Sequence, residues 1–225
     1  MRQKEKLFSA GNLTILLTLA CTLAFLTGCV APFSDIQSAK LLGKGNVEVT
    51  PSYSSVSVTS EGETEHVQNH LGVQAGFGLL EFMDLRVRYE RITGDLDEEE
   101  SFGVNVIGFG PKFRLAKNWL ALYVPVGFAF GEDIEIAETW QVHPTLLATF
   151  PFGKSFELNP SAKVMIPLKK NELDTLYAFN LGAAISTDVS KWAIRPEVGI
   201  CTNFEGGHYM HFSIGLSLSS KLFKK

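Results

Sequence analysis

The sequence predicts an all-β chain, folded as an up-and-down antiparallel transmembrane β-barrel of about ten strands, within a range of about eight to twelve. Apolar and polar residues alternate with a period of two from about Asn46 to Phe223, and no helical periodicity interrupts them. Short and longer links alternate along the chain. No stretch of this region is long and apolar enough for a helical span, so insertion into a bilayer must use strands.

Ten segments show the alternation, each with one mainly apolar face. These faces run over Val47 to Tyr53, Leu71 to Phe77, Leu85 to Tyr89, Phe102 to Val106, Leu120 to Phe130, Trp140 to Phe150, Phe156 to Ile166, Tyr177 to Ile185, Trp192 to Ile200 and Met210 to Leu218. In the fourth segment the alternation shifts phase near Gly108, which predicts a bulge. Because a lipid-facing wall needs one apolar face on every strand, the apolar faces are expected to point outward.

Five prolines fall inside these segments, where each removes a ladder hydrogen bond. They are Pro51, Pro125, Pro144, Pro160 and Pro196. Four of them, all except Pro125, end similar stretches of alternating residues. This recurrence predicts bulges or bends at the prolines within real strands.

The links differ in charge as well as in length. Tight links are predicted near 80–81, 116–118, 153–154 and 189–191, and longer ones near 61–65, 95–100, 132–138, 168–174 and 204–207. After removal of residues 1–28, the longer links carry 15 of the 23 remaining acidic residues. Short periplasmic turns and longer outer loops are typical of outer-membrane β-barrels. The strand pattern thus resembles the small bacterial outer-membrane β-barrels and implies an acidic outer rim.

The amino terminus has the order of a lipoprotein signal. Arg2, Lys4 and Lys6 precede an apolar run from Leu13 to Phe25, and Leu26-Thr27-Gly28-Cys29 follows. This tetrapeptide resembles the bacterial lipobox, which implies cleavage before Cys29 and attachment of palmitate and related acyl chains to its sulfur. The resemblance divides the chain into a signal peptide (1–28), a polar tether (29–45) and a barrel domain (46–223). Val30 stands where the family uses aspartate for inner-membrane retention, so the implied location is the outer membrane.

Composition argues against a nucleic-acid partner and against an internal disulfide. Loss of residues 1–28 takes the formal net charge from −4 to −6, which disfavours a nucleic-acid partner. Once Cys29 carries lipid, Cys201 is the only remaining thiol, so an internal disulfide is not expected.

The inward face is predicted to be polar and to carry both signs of charge. Its polar residues are Arg86, Arg88, Glu90, Asn105, Gln141, His143, Glu157, Lys163, Asn180, Arg195 and Glu197. The charged members, Arg86, Arg88, Glu90, Glu157, Lys163, Arg195 and Glu197, can pair as a lumen network and fill a narrow barrel. The expected role is therefore structural or in surface interaction. A narrow porin-like channel lined by the same groups is the alternative.

Other functions find less support in the sequence. His211-Phe212-Ser213 resembles the His-x-Ser pair of barrel-type lipid A deacylases, but no glutamate follows it, so the chain is not expected to be an enzyme. No metal-ligand spacing and no cofactor motif is present. Divalent cations could bridge the acidic loops to the phosphates of lipopolysaccharide. Lipopolysaccharide and outer-membrane lipid are therefore the expected partners. A periplasm-facing, lipocalin-like lipoprotein with the apolar face inward and an apolar ligand is the remaining alternative.

Overall fold

A computed structural model of the chain describes residues 32–60, 62–97, 100–132, 134–169, 174–205 and 207–221. These residues form thirteen antiparallel segments: β1 (Asn46–Ser60), β2 (Glu63–Leu80), β3 (Met83–Asp97), β4 (Glu100–Ala116), β5 (Leu120–Tyr123), β6 (Val126–Phe130), β7 (Gln141–Val142), β8 (Thr145–Ala148), β9 (Phe150–Phe152), β10 (Phe156–Pro167), β11 (Leu176–Ile185), β12 (Trp192–Thr202) and β13 (His208–Lys221). A short 3-10 helix spans Ile136–Glu138. Within the described ranges, no helix is long and apolar enough to cross a membrane.

The thirteen segments make ten barrel strands. β5 and β6 pair with β4 and form the fifth strand, in one register apart from a shift between Arg114 and Ala116. β7, β8 and β9 pair with β10 in one register and form the sixth. Each strand then pairs with its sequence neighbours, and β1 pairs with β13 to close the sheet. The predicted ten-stranded antiparallel barrel is confirmed.

The two faces of the wall differ in the way that the alternation predicted. Large apolar side chains such as Leu71, Val198 and Phe212 point outward and are exposed. Charged side chains at the alternate strand positions, such as Arg86 and Glu197, point inward and are buried. An apolar exterior around a charged interior suits a barrel surrounded by lipid. This is the opposite phase to the one that a lipocalin-like barrel requires.

The prolines do not form the predicted bulges. The register is the same before and after Pro51, Pro160 and Pro196, and each of these residues stays paired with one neighbouring strand. Pairing is lost only toward the other neighbour, because a proline lacks the single N–H that would point that way. Pro125 and Pro144 lie in the interruptions of the fifth and sixth strands, where the His143 N–H donates to the Pro125 carbonyl over 2.9 Å. Register shifts occur elsewhere, as between Val56 and Ser57.

The fourth strand also differs from the prediction. β3 and β4 pair in one register through Gly108, so the predicted phase shift there is wrong. Val104 and Val106 consequently face inward, where they pack with Ile92 in an apolar layer of the lumen. Asn105 faces outward instead of inward and accepts a hydrogen bond from the Tyr89 hydroxyl over 2.8 Å.

The barrel has two distinct ends, which we call the turn end and the loop end. The turn end carries links 81–82, 117–119, 153–155 and 186–191, and the loop end carries links 61–62, 98–99, 131–140, 168–175 and 203–207. The predicted difference in link length holds only in part. Two links of the loop end have two residues each, because β1–β2 and β3–β4 continue as paired hairpins through the acidic stretches that the sequence assigned to loops.

Candidate functional site in the barrel lumen

The described residues that precede the first strand lie inside the barrel. Residues 32–43, here the luminal segment, run without regular secondary structure, and those from Pro32 to Ala39 are buried. The sequence predicts a polar tether over residues 29–45, and the structure shows that its part from Pro32 to Ala39 is buried in the lumen. The tether is polar because wall side chains bind it, rather than because water surrounds it.

The luminal segment extends along the whole lumen. Phe33 packs against Val56, Leu176 and the Tyr209 ring, which belong to the loop-end parts of their strands. At the other end, the Leu42 N–H donates to the Asp84 carboxylate next to the turn end. The chain therefore runs from the loop end to the turn end, and reverses through Gly43 and Gly45, both at positive φ, before β1.

A buried ion pair fixes the centre of the luminal segment. Lys163 Nζ lies 3.0 Å from Asp35 Oδ1. Ser161 and Asn180 donate to Asp35 Oδ2 over 2.5 and 2.9 Å. Lys163 also donates to the backbone carbonyls of residues 32–34 over 3.0 to 3.1 Å. Since a buried charge needs both a counter-charge and further hydrogen bonds, this lysine depends on the luminal segment for its partners.

Arg88 binds the segment one residue earlier. Its guanidinium donates to the Ser34 hydroxyl over 2.7 Å and to the Ser34 carbonyl over 2.5 Å. The same guanidinium pairs with Glu90, which lies two positions along β3 on the same inward face. Arg88 thus joins the wall to the luminal segment with a wall carboxylate as its counter-charge.

Glu197 binds the backbone of the segment from the opposite wall. Its two carboxylate oxygens accept the N–H groups of Asp35 and Ile36 over 2.7 and 2.9 Å. Ile36 has φ of 48°, a left-handed conformation that costs a β-branched residue about 1–3 kcal/mol. Consecutive N–H groups around such a residue form a concave nest that favours an anion. The carboxylate of Glu197 therefore stabilises a backbone bend that Ile36 alone would not adopt.

At the turn end, further charges hold the segment. Lys40 Nζ lies 2.5 Å from Glu157 Oε1. Lys112, a fully buried lysine, donates to the Ser38 and Lys40 carbonyls over 3.1 and 3.0 Å. The Ala39 N–H donates to the Thr149 hydroxyl over 2.7 Å. Contacts from three different barrel strands thus converge on a stretch of three residues.

Glycines of the wall leave room for the luminal segment. A Cβ added at Gly78 would lie 1.8 Å from the Gly43 carbonyl oxygen, and one at Gly215 would lie 2.6 Å from Ile36 Cγ2. The first contact is with backbone and cannot be relieved by a rotamer change. The wall is therefore shaped for this occupant at Gly78 and Gly215.

The structure places all seven charged residues of the predicted network inside the barrel. They are Arg86, Arg88, Glu90, Glu157, Lys163, Arg195 and Glu197. Only Arg88 and Glu90 form an ion pair with each other, whereas Arg86 pairs with Glu48 over 2.8 Å. Glu157, Lys163 and Glu197 bind the luminal segment, and Arg195 donates to the Ser217 hydroxyl over 2.9 Å. Gln141 and His143 hydrogen bond to each other on the same inward face.

Sequence reasoning missed five partners of this network: Asp35, Lys40, Glu48, Asp84 and Lys112. Asp84 and Glu48 share the inward parity of Arg86 and Thr50, so the alternation contained their signal. Lys112 alternates with Phe109, Phe113 and Leu115 after Gly108, so the pattern there also contained its signal. Asp35 and Lys40 precede every strand, and no periodicity could assign them to the lumen.

His211 and Ser213 also face the lumen. His211 Nδ1 lies 2.8 Å from Ser213 Oγ, and His211 Nε2 lies 3.0 Å from Asn180 Oδ1. Ser213 donates to the Ser54 hydroxyl over 2.7 Å. Both residues are buried behind the wall, so this pair cannot reach a lipid substrate on the outer face of the barrel. The group instead continues the hydrogen-bonded lining around Asp35.

Of Cys29 and Cys201, the structure describes only Cys201. Cys29, the predicted lipidation site, lies outside the described residues. Cys201 is a free, buried thiol in the apolar cluster around Phe33.

Comparisons with known proteins support the fold. No family model matches the chain, and no curated protein matches it. Among solved structures, an outer-membrane channel from Pseudomonas putida F1 matches with a TM-score of 0.50 at 10% identity, over 83% of this chain and 100% of the other. The attachment invasion locus protein of Yersinia pestis matches with a TM-score of 0.40 at 12% identity, over 79% of this chain and 99% of the other. The match to the channel shows that the chain has the fold of an outer-membrane β-barrel.

Proposed function

We propose that this protein is a lipid-anchored β-barrel of the bacterial outer membrane, without enzymatic activity, whose lumen is closed by its own luminal segment. The observation that carries the proposal is the burial of residues 33–39 against side chains from all around the wall. The role that remains is structural, or lies in interactions at the cell surface.

Charge balance supports a closed lumen. Among the described residues, the buried wall carries five acidic and five basic side chains: Glu48, Asp84, Glu90, Glu157 and Glu197, and Arg86, Arg88, Lys112, Lys163 and Arg195. Three of them, Lys163, Glu157 and Glu197, find their partners on the luminal segment. Withdrawal of the segment would therefore leave these charges without a partner. Next to Asp35 and Lys163 the lumen keeps a cavity of about 30 Å³, enough for a water molecule.

Conductance in planar bilayers tests the closed lumen. We expect the wild-type barrel to give no ion-conducting steps, and a variant lacking residues 32–41 to give them, because the emptied lumen is lined by charged groups that hold water. The Lys169→Met variant, changed at an exposed lysine beyond β10, serves as a control that should stay closed. Equal conductance of the wild type and the deletion variant would contradict the proposal.

A narrow channel is the second candidate. It is favoured by the non-covalent seating of the luminal segment and by the glycines at 43 and 45, where the backbone reverses. The similar barrel from Pseudomonas putida is described as a channel. In this case the luminal segment acts as a gate, and conducting steps appear in the wild type as rare openings.

Lipid anchoring at Cys29 has a geometric consequence for the luminal segment. An extended chain spans at most about 3.5 Å per residue, so four residues cover at most about 14 Å. Phe33 lies at the loop end, whereas the apolar band of such barrels is about 25 Å tall. Insertion of the acyl chains into the periplasmic leaflet would thus require the segment to leave the lumen. With the segment seated, acyl chains attached to Cys29 would reach only the leaflet at the loop end.

Acyl labelling tests the anchor itself. The Cys29→Ala variant is expected to lose incorporation of radiolabelled palmitate completely, because its only modified sulfur is removed. The Cys21→Ala variant should keep it, since Cys21 lacks the Leu-Thr-Gly context. Label that persists in the Cys29→Ala variant would place the modification elsewhere.

Surface partners follow from the acidic loop end. The described acidic residues there include Glu63, Glu65, Glu132, Glu135, Asp174 and Glu205. In the outer membrane these carboxylates would bridge divalent cations to lipopolysaccharide phosphates, the expected partner together with membrane lipid.

A further inference from the structure

The groups around Asp35 form a complete binding site for a carboxylate. Lys163 supplies the counter-charge at 3.0 Å, and Ser161 and Asn180 donate to the second oxygen at 2.5 and 2.9 Å. Asp35, Lys163 and Asn180 are each at most 5% exposed. Charge-assisted hydrogen bonds of this kind are about twice as strong as neutral ones, and inside the barrel little water competes for them.

The backbone of the luminal segment is held independently of this carboxylate. Glu197 accepts the N–H groups of Asp35 and Ile36, while the Asp35 carbonyl accepts a hydrogen bond from Gln74 over 2.9 Å. Removal of the Asp35 carboxylate therefore leaves the surrounding chain anchored. Arg88 and Lys163 also line the adjacent water-sized cavity of about 30 Å³, so basic groups surround the position of the carboxylate.

We propose that the wall groups Lys163, Ser161 and Asn180 form a binding site for small carboxylates, and that Asp35 occupies this site as an internal ligand. The inference rests on the proposed seating of the luminal segment and extends it to a ligand class. In a barrel from which the segment has withdrawn, the same three groups face the passage, and a solute carboxylate takes the place of Asp35. Asp35 competes from a high effective concentration because it is part of the same chain.

Chemical rescue in the full-length chain tests this site. The Asp35→Ala variant keeps the backbone contacts but leaves a carboxylate-sized space next to Lys163. It is folded into detergent micelles in sodium formate or acetate, and in sodium chloride of equal ionic strength. Its unfolding is followed by the shift in gel mobility on heating. At a carboxylate concentration ten times the Kd, the ratio of folded to unfolded chain is expected to rise about tenfold over chloride.

Matched variants separate binding from a general salt effect. Asp35→Asn fills the space with an amide, and the double variant Asp35→Ala with Lys163→Gln lacks the counter-charge, so neither should gain stability from formate or acetate. Wild type should not gain either, because Asp35 is in place. An equal gain in all four proteins, or none in Asp35→Ala, overturns the inference. If the rescue fails while the wild-type barrel remains non-conducting, the closed barrel stands and only the carboxylate site falls.

Discussion

Replacing Lys163 with methionine is expected to lower the free energy of unfolding by about 3–5 kcal/mol, the cost of removing one partner of a buried ion pair. Methionine matches the aliphatic stem of lysine but donates no hydrogen bond. The Asp35 carboxylate then loses its counter-charge, and the carbonyls of residues 32–34 lose their shared donor. Urea unfolding of the barrel in lipid vesicles, followed by gel mobility, measures the change.

The control is a lysine close by in sequence but outside the lumen. Lys169 follows β10 and its side chain is 52% exposed, so its ion pair with Glu138 contributes at most about 1 kcal/mol. Lys169→Met should therefore unfold almost as the wild type does. If the two variants unfold at the same urea concentration, Lys163 does not hold the segment and the seating of residues 32–43 is not what stabilises the barrel.

The barrel could be predicted from sequence because its wall repeats one simple rule. Each strand must present an apolar face to one side and a polar face to the other, and a period of two expresses this over ten segments. The direction of the two faces was left open, although the weight of aromatic and aliphatic residues on one face of nearly every strand favoured lipid outside. The structure supplies the direction, because Arg86, Arg88 and Glu197 are buried inside the barrel. The rule fails where the lumen itself contains an apolar layer. Val104 and Val106 were assigned outward for this reason, but they face Ile92.

The luminal segment could not be predicted from local sequence. Its partners are remote: Asp35 lies 162 residues before Glu197, with which its N–H is hydrogen bonded. Residues 32–43 show neither strand nor helix periodicity, and their polar composition is equally typical of an exposed linker. An indirect signal was present in the wall, since Lys163 has no acidic partner opposite it on the adjacent strands, where it pairs with Ala178 and Thr145. That signal indicates that Lys163 needs an acidic partner, but it does not indicate which segment supplies it.

Arginine at Val198 is expected to give the second large effect, on the outward face. Val198 is 51% exposed near the middle of β12, between Leu181 and Phe212 on the adjacent strands. A charged side chain at the bilayer midplane destabilises such barrels by about 2–4 kcal/mol, and by about 0–1 kcal/mol near the interfaces. Ile194, also outward but close to the turn end, should therefore tolerate arginine much better. Equilibrium folding into lipid vesicles under urea gives both values.

The comparison of Val198→Arg with Ile194→Arg tests the membrane itself, because both residues are aliphatic, outward and on the same strand. Only their depth differs, so an unequal penalty reports a gradient of polarity along the wall. A barrel surrounded by water has no such gradient, since arginine would be hydrated equally at both positions. Equal penalties, or a wild-type chain that is monodisperse in buffer without detergent, would show that the exposed apolar face does not meet lipid.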